Sequence, residues 1–310
     1  MEEHHYRIGG HLVGIKLPKT VMVECCLSNF TAFETIPHSN EEILLSMELT
    51  TSPVPNDDQP KTLLSDVAVV WEEPIRFEKT DENYIIHIQG DDPKHTWVMI
   101  SSKDFMRNKV HAPKAEWHSP VRLSWLMMIA FGQAALQRKT LLMHASVVKK
   151  GNKGYLFLGK SGTGKSTHSQ LWLKYLPDTV LLNDDCPAVR IYPNGEIFVY
   201  GTPWSGKTPC HKQERTQVGA FVRLEQAPIN RMEWKYGKNA LITLLPSCPA
   251  IRWNKSLFDH MVTIVSEIST RIPTGQLQCR PDKHAVCISF KECTSKKVLN
   301  ISGVKHHPSS

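Results

Sequence analysis

The stretch GYLFLGKSGTGKSTHSQLWLKYL, residues 154–176, leaves its part of the chain few choices. An apolar run of strand length meets a glycine-rich loop, and the loop meets a segment whose apolar residues have helical spacing. Gly159-Lys160-Ser161-Gly162-Thr163-Gly164-Lys165-Ser166 fulfils the pattern G-x-x-x-x-G-K-S between the strand and the helix that this pattern requires. The glycines let successive amides turn inward around an anion, and the N-terminal end of the helix adds its partial positive charge. The segment is therefore expected to grip the phosphates of a nucleotide. Lys165 is the expected contact to the β and γ phosphates, the Ser166 hydroxyl the expected magnesium ligand, and Thr167 ends the nucleotide-binding run. Leu171, Trp172, Tyr175 and Leu176 form one apolar stripe, and Pro177 stops the helix.

One more strand, TVLLNDD at 179–185, follows at once and ends in Asp184 and Asp185. Adjacent strand residues point to opposite faces, so one carboxylate can reach a metal while its neighbour faces an acceptor. A site that holds Mg²⁺ and also deprotonates a hydroxyl needs two such groups. His144 closes LLMH in the run LLMHASVV (141–148), expected to be the strand before the phosphate-loop strand.

At 310 residues the chain is long for one domain and suits two. It is 41% hydrophobic and 22% charged, ordinary globular values, and its net charge of +7 is spread without a basic run or helix face, so nucleic acid is not an expected partner. The most apolar stretch, WLMMIAFGQAAL at 125–136, falls short of the roughly 20 residues of a membrane span and reads as a buried helix. MEEHHYRIGG lacks a basic region followed by an apolar core, so a cytoplasmic protein is expected. Its eight cysteines contain no CxxC pair and read as reduced thiols.

Residues 1–118 alternate short apolar runs with turn residues: HLVGIKL, VMVECCL, VAVVW, NYIIHIQG and TWVMIS. They predict a smaller, mostly β N-terminal domain. The second domain is expected over 119–310, opened by a helix with Ser119 as N-cap and Pro120 in its first turn. Within it AVRIYPNGEIFVYG predicts a hairpin turned at Asn194-Gly195, SLFDHMVTIVSEISTR a helix near 256–271, and HAVCISF a final strand.

Taken together, MHASVV, GKSGTGKST and LLNDD resemble the catalytic domain of the HPr kinase/phosphorylase family, whose fold is shared more distantly with ATP-dependent phosphoenolpyruvate carboxykinases. The resemblance covers roughly 140–205 and continues weakly to about 290. It implies an α/β fold of the P-loop kinase type and an ATP- and Mg²⁺-dependent transfer of the γ-phosphate to a serine hydroxyl. By that resemblance His144 tunes the base, Asp184 is the base and Asp185 the metal contact, with the last two exchangeable; it also implies oligomers. YGTPWSGKTPCHK at 200–212 resembles the divergent branch associated with peptide-modification systems, so the acceptor is expected to be a serine in a protein or peptide, or free serine, rather than HPr. Lys207, His211 and Lys212 are candidate contacts to phosphate or an acidic acceptor, and Trp204 suits either a lid or the core.

Two other functions fit parts of the pattern. A carboxykinase-type lyase shares the loop and an aspartate pair but needs further metal and carboxylate ligands. A nucleotide-binding switch or scaffold needs the loop without both His144 and Asp184.

Overall fold

Short alternating runs dominate the first part of the chain, and the computed structural model gathers them into one sheet. It describes residues 1–55, 60–65, 75–119, 121–206, 208–249, 251 and 253–295. Pro120, Lys207 and the run expected at 67–71 lie outside these. The chain is mixed α/β with two sheets, divided into two units: Met1–Arg138 with Ala250–Phe258, and Lys139–Pro249 with Asp259–Ser310.

In the first unit the strands are β1 (Glu2–Ile8), β2 (His11–Leu17), β3 (Ile43–Thr50), β4 (Thr62–Ser65), β5 (Ile75–Lys79), β6 (Asn83–Gln89), β7 (Thr96–Ser102) and β8 (Arg107–His111). Their order is β1-β2-β3-β8-β7-β6-β5-β4, with parallel pairing only where β3 meets β2 and β8. VMVECCL is not a strand: α1 (Val23–Cys26) turns there, with Leu27 N–H bonded to Val23 O at 2.8 Å. The turn buries Cys26 and Leu27, and Phe30 just after it meets Tyr6 edge-on.

The apolar stretch at 125–136 is a buried helix as expected: α2 (Arg122–Ala134) presents Leu126, Met127, Ala130 and Phe131 to the interior. Its N-cap is Val121, without a side-chain cap, and not Ser119, whose N–H instead bonds Glu116 O. Because α2 packs on β3 and β7 it belongs with the first unit, which runs to Arg138 rather than ending at 118. No described helix is long and apolar enough to cross a membrane.

The second unit contains β9 (Thr140–Leu142), β10 (Ala145–Lys150), β11 (Lys153–Leu158), α3 (Lys165–Tyr175), β12 (Thr179–Asp185), β13 (Ala188–Ile191), β14 (Ile197–Tyr200), β15 (Arg215–Gln226), β16 (Arg231–Lys235), α4 (Lys238–Leu244), β17 (Thr274–Cys279) and α6 (Lys283–Thr294), with most of α5 (Lys255–Arg271). The sheet runs β12-β10-β11-β15-β14-β13-β9, and β17 lies between β15 and β16. Its core joins Tyr155, Phe157, Trp172, Val222, Leu277 and Val286; of the expected stripe Trp172 is buried and Leu171, Tyr175 and Leu176 pack half-buried against it, while Lys165, His168 and Ser169 complete the buried face of α3. The hairpin turns at Asn194-Gly195, where Gly195 has φ 84°.

Two expectations fail here. HAVCISF lies in α6, not in a strand: Asp282 caps it by accepting from Ala285 N–H at 2.9 Å, and Ala285, Val286, Ser289 and Cys293 form its buried stripe. LLMHASVV is two strands, because β9 pairs with β13 while β10 pairs with β12 and β11. The ribbon is broken at Met143-His144 opposite Cys186-Pro187, where proline has no N–H to give the ladder. Met143 N–H still bonds Pro187 O at 3.0 Å across the break.

Candidate active site

That break determines what stands beside the glycine-rich loop. Register pairs Ala145 with Asp185 and Ser146 with Asp184, so His144, one residue earlier and outside both strands, falls next to the end of β12. Its Nδ1 lies 3.2 Å from Asp185 Oδ1. Its Nε2 lies 2.8 Å from Lys165 Nζ, and its main-chain N–H is held by Ser247 O at 2.7 Å. Of the two aspartates, whose roles the resemblance leaves exchangeable, it is Asp185 that the histidine contacts.

Between β11 and α3 the loop turns through left-handed glycines, with φ 76° at Gly162 and 101° at Gly164, the residue that precedes the helix. Lys165 is buried and its ammonium also reaches Gly159 O at 3.1 Å and Lys160 O at 3.2 Å. Burial lowers its pKa from the ordinary lysine range, opposed by Asp185 and then Asp184, while Arg223 adds to the lowering. Thr163 closes the loop by donating to Lys160 O at 2.6 Å. Lys160, Ser161 and Thr167 are exposed, and Ser166 is half-buried.

Asp184 and Asp185 are treated differently. Residues paired directly across an antiparallel ladder share a face. Ser146, the partner of Asp184, hydrogen-bonds Ser169 of α3 at 2.6 Å, so Asp184 stands on the α3 face, where Ser166 also begins the helix. Asp184 is 3% exposed, yet neither of its buried carboxylate oxygens has a hydrogen-bond partner among the described residues. Desolvating a lone carboxylate costs several kcal/mol, roughly, and a cation is the counter-charge that chemistry calls for. The carboxylate of Asp184 therefore fits a cation such as Mg²⁺, and Ser166 lies in the first turn of α3.

Asn183 fixes the turn beneath both aspartates. Its Oδ1 accepts from Asp185 N–H at 3.1 Å and Cys186 N–H at 3.0 Å, and its amide donates to Thr202 O, Thr202 Oγ1 and Trp204 O at 3.1–3.3 Å. Gly206 N–H then bonds Asp184 O at 2.8 Å, and an added Cβ at Gly206 would stand 2.8 Å from that same oxygen. The 201–206 segment is thereby laced to the aspartates' own backbone. Trp204 is core, 4% exposed. His211 and Lys212, both candidate ligand contacts, have internal partners: Nε2 of His211 meets Ser205 Oγ at 2.8 Å, and Lys212 donates to Leu181 O at 2.9 Å.

Arg223 is the residue that sequence reasoning missed. It stands opposite Leu158 on β15, one step from the loop, with Nε donating to Thr243 O at 2.7 Å and Nη2 to Ser247 Oγ at 2.9 Å. Burial lowers its pKa, and it adds positive charge to the neighbourhood of Lys165. A lone arginine within the apolar run VGAFVRLEQ was the available signal.

No family model matches the chain, and no curated protein matches it. Among solved structures it is similar to the HPr(Ser) kinase/phosphatase from Coxiella burnetii, with 13% identity and a TM-score of 0.29 over 52% of this chain and 99% of that one, a likeness too slight to carry weight for fold or activity.

Proposed function

We propose that this chain is an ATP- and Mg²⁺-dependent kinase that transfers the γ-phosphoryl group to an alcohol, a serine hydroxyl of a protein, a peptide or the free amino acid. One observation carries the reading: Lys165 of the glycine-rich loop, His144 and Asp185 form a continuous line of contacts at 2.8 and 3.2 Å, next to Asp184, whose oxygens have no hydrogen-bond partner among the described residues. These contacts support reading Lys165 as phosphate grip, Asp184 as metal ligand and Asp185 as base.

The loop amides from Gly159 to Thr167 and the Lys165 ammonium hold the triphosphate. Ser166 and Asp184 would hold Mg²⁺, which would supply charge neutralisation to the phosphate oxygens. Lysine can only donate, so His144 accepts at Nε2 and carries its proton on Nδ1, 3.2 Å from Asp185 Oδ1. Asp185 is held in place with Oδ2 left to take the acceptor's proton as its oxygen attacks in line. The roles of the two aspartates are thus the exchanged pair: Asp185 as base and Asp184 at the metal. Arg223, behind Lys165, offsets the negative charge that gathers on the transferred group.

The test is transfer from labelled ATP with Mg²⁺ to free serine, to serine-ended peptides and to HPr, with Asp185→Ala as control. Label on one serine class, lost in the variant, is the expected result. Tight ATP binding without transfer to any acceptor would overturn the kinase reading in favour of a nucleotide switch or scaffold.

A further inference from the structure

The sheet of the first unit carries a groove of about 300 Å³ on its outward face. Register builds it. Lys16 of β2 pairs with Glu48 of β3, Glu48 with Lys109 of β8, and Lys109 with Ile100 of β7. Two residues earlier on β3 and β8, Ser46 pairs with Arg107, and nearby Ser102 of β7 pairs with Asn83 of β6. Residues paired across a ladder share a face, so both rows look the same way. The alternate residues Leu45, Met47, Leu49 and Val110 are buried on the other side.

Three cations and one carboxylate line the groove, and Lys16, Arg107 and Lys109 are all exposed. Of the three, only Lys109 has an ion pair among the described residues, with Glu48 at 3.3 Å. Asp104, close enough to feel the charge of Arg107, is turned to the Ser102 hydroxyl at 2.5 Å and the Met106 N–H at 3.0 Å. Strand geometry spaces the cations. Arg107 and Lys109 stand roughly 6.6 Å apart along β8, and Lys16 lies two strands away, roughly 10 Å.

An extended polypeptide lying along β8 presents its alternate side chains at that same spacing of roughly 6.6 Å. Carboxylates at alternate positions therefore meet Arg107 and Lys109 together, with the carboxamide of Asn83 and the hydroxyl of Ser46 beside them. Nucleic acid suits the groove less well. Glu48 sits among the cations and repels a chain that is charged at every unit, and the net charge of +7 is spread without a basic run.

We propose that this groove docks an extended acidic segment of a polypeptide partner, with carboxylates at alternate positions. Docking here is independent of phosphoryl transfer, and its test uses no nucleotide.

Fluorescence anisotropy would follow a labelled peptide of alternating aspartate and serine on the full chain, beside an alternating lysine and serine peptide and a single-stranded oligonucleotide. The aspartate peptide should bind and the lysine peptide should not. Arg107→Glu and Lys16→Glu change exposed side chains, so the fold is kept, and each should weaken binding about fivefold or more. Glu48→Gln, which removes the carboxylate from the groove, should tighten it about two- to threefold. Affinity should fall severalfold between about 50 and 200 mM salt. No binding at the lower salt, or binding that neither charge reversal alters, would overturn the proposal. An oligonucleotide held more tightly than the aspartate peptide, and lost with the same two reversals, would overturn it in favour of nucleic acid.

Discussion

His144 Nδ1 lies 3.2 Å from Asp185 Oδ1 while its Nε2 meets Lys165 Nζ at 2.8 Å, so one imidazole connects the lysine of the glycine-rich loop to a carboxylate. In the proposed reaction such a ring positions its neighbours rather than touching substrate. His144→Ala should lower kcat by roughly 10- to 100-fold, the usual effect of losing an orienting partner, with KM for ATP within about threefold. Asp185→Asn, which removes the proposed base, should cost on the order of 10²–10⁴ in kcat. Steady-state kinetics checks both, and a wild-type rate in Asp185→Asn would remove that residue from the chemistry.

Asp184 sets stability against function. Its buried oxygens lack partners among the described residues, so neutralising the side chain relieves a desolvation cost. Asp184→Asn should raise the melting temperature of the ligand-free protein by several degrees, from about 1–3 kcal/mol of relief. It should also abolish the extra stabilisation that Mg²⁺ and ATP together give the unaltered protein. Differential scanning fluorimetry reads both, and a less stable variant that still responds to Mg²⁺ would contradict the assignment.

His168 gives the acid limb of stability. It is 3% exposed between Trp172 and Ser289, and burial pushes its pKa from 6.5 down to about 4. Below pH 6.5 the unfolded chain takes up a proton that the folded one refuses until about pH 4, so stability falls as pH is lowered through this window. The loss should reach about 3 kcal/mol. In His168→Gln, urea unfolding should show a shallower slope between these values; an unchanged slope would place the acid sensitivity elsewhere.

Asn183 holds the aspartate turn through its buried bonds to Thr202, Trp204, Asp185 and Cys186. Asn183→Ala strands several buried polar groups and should cost about 2–4 kcal/mol, measured by chemical denaturation. Activity should fall with it, because Asp184 and Asp185 hang on that turn. A variant as stable as the unaltered protein would show the bonds to be replaceable.

The parts legible in the chain were those whose physics is local. An apolar run, glycines at left-handed positions and a helix stopped by Pro177 lie within one stretch, and Asn194-Gly195 turns its own hairpin. HAVCISF misled because a short apolar run suits either period; the cap at Asp282 and the spacing of Ala285, Val286, Ser289 and Cys293 settled it as a helix. The long strand β15 and its parallel partner β17 went unread, since their pairing joins segments about fifty residues apart in the chain.

By itself the sequence determined a glycine-rich loop between a strand and a helix, an aspartate pair ending the next strand, and a β-rich first part. Which aspartate meets His144, and that Arg223 stands behind Lys165, were decided by pairing between distant segments. One residue of register moves a side chain to the opposite face, and the break at Pro187 lies outside any local pattern that includes His144. Only the folded ribbon brings residue 144 to residue 185.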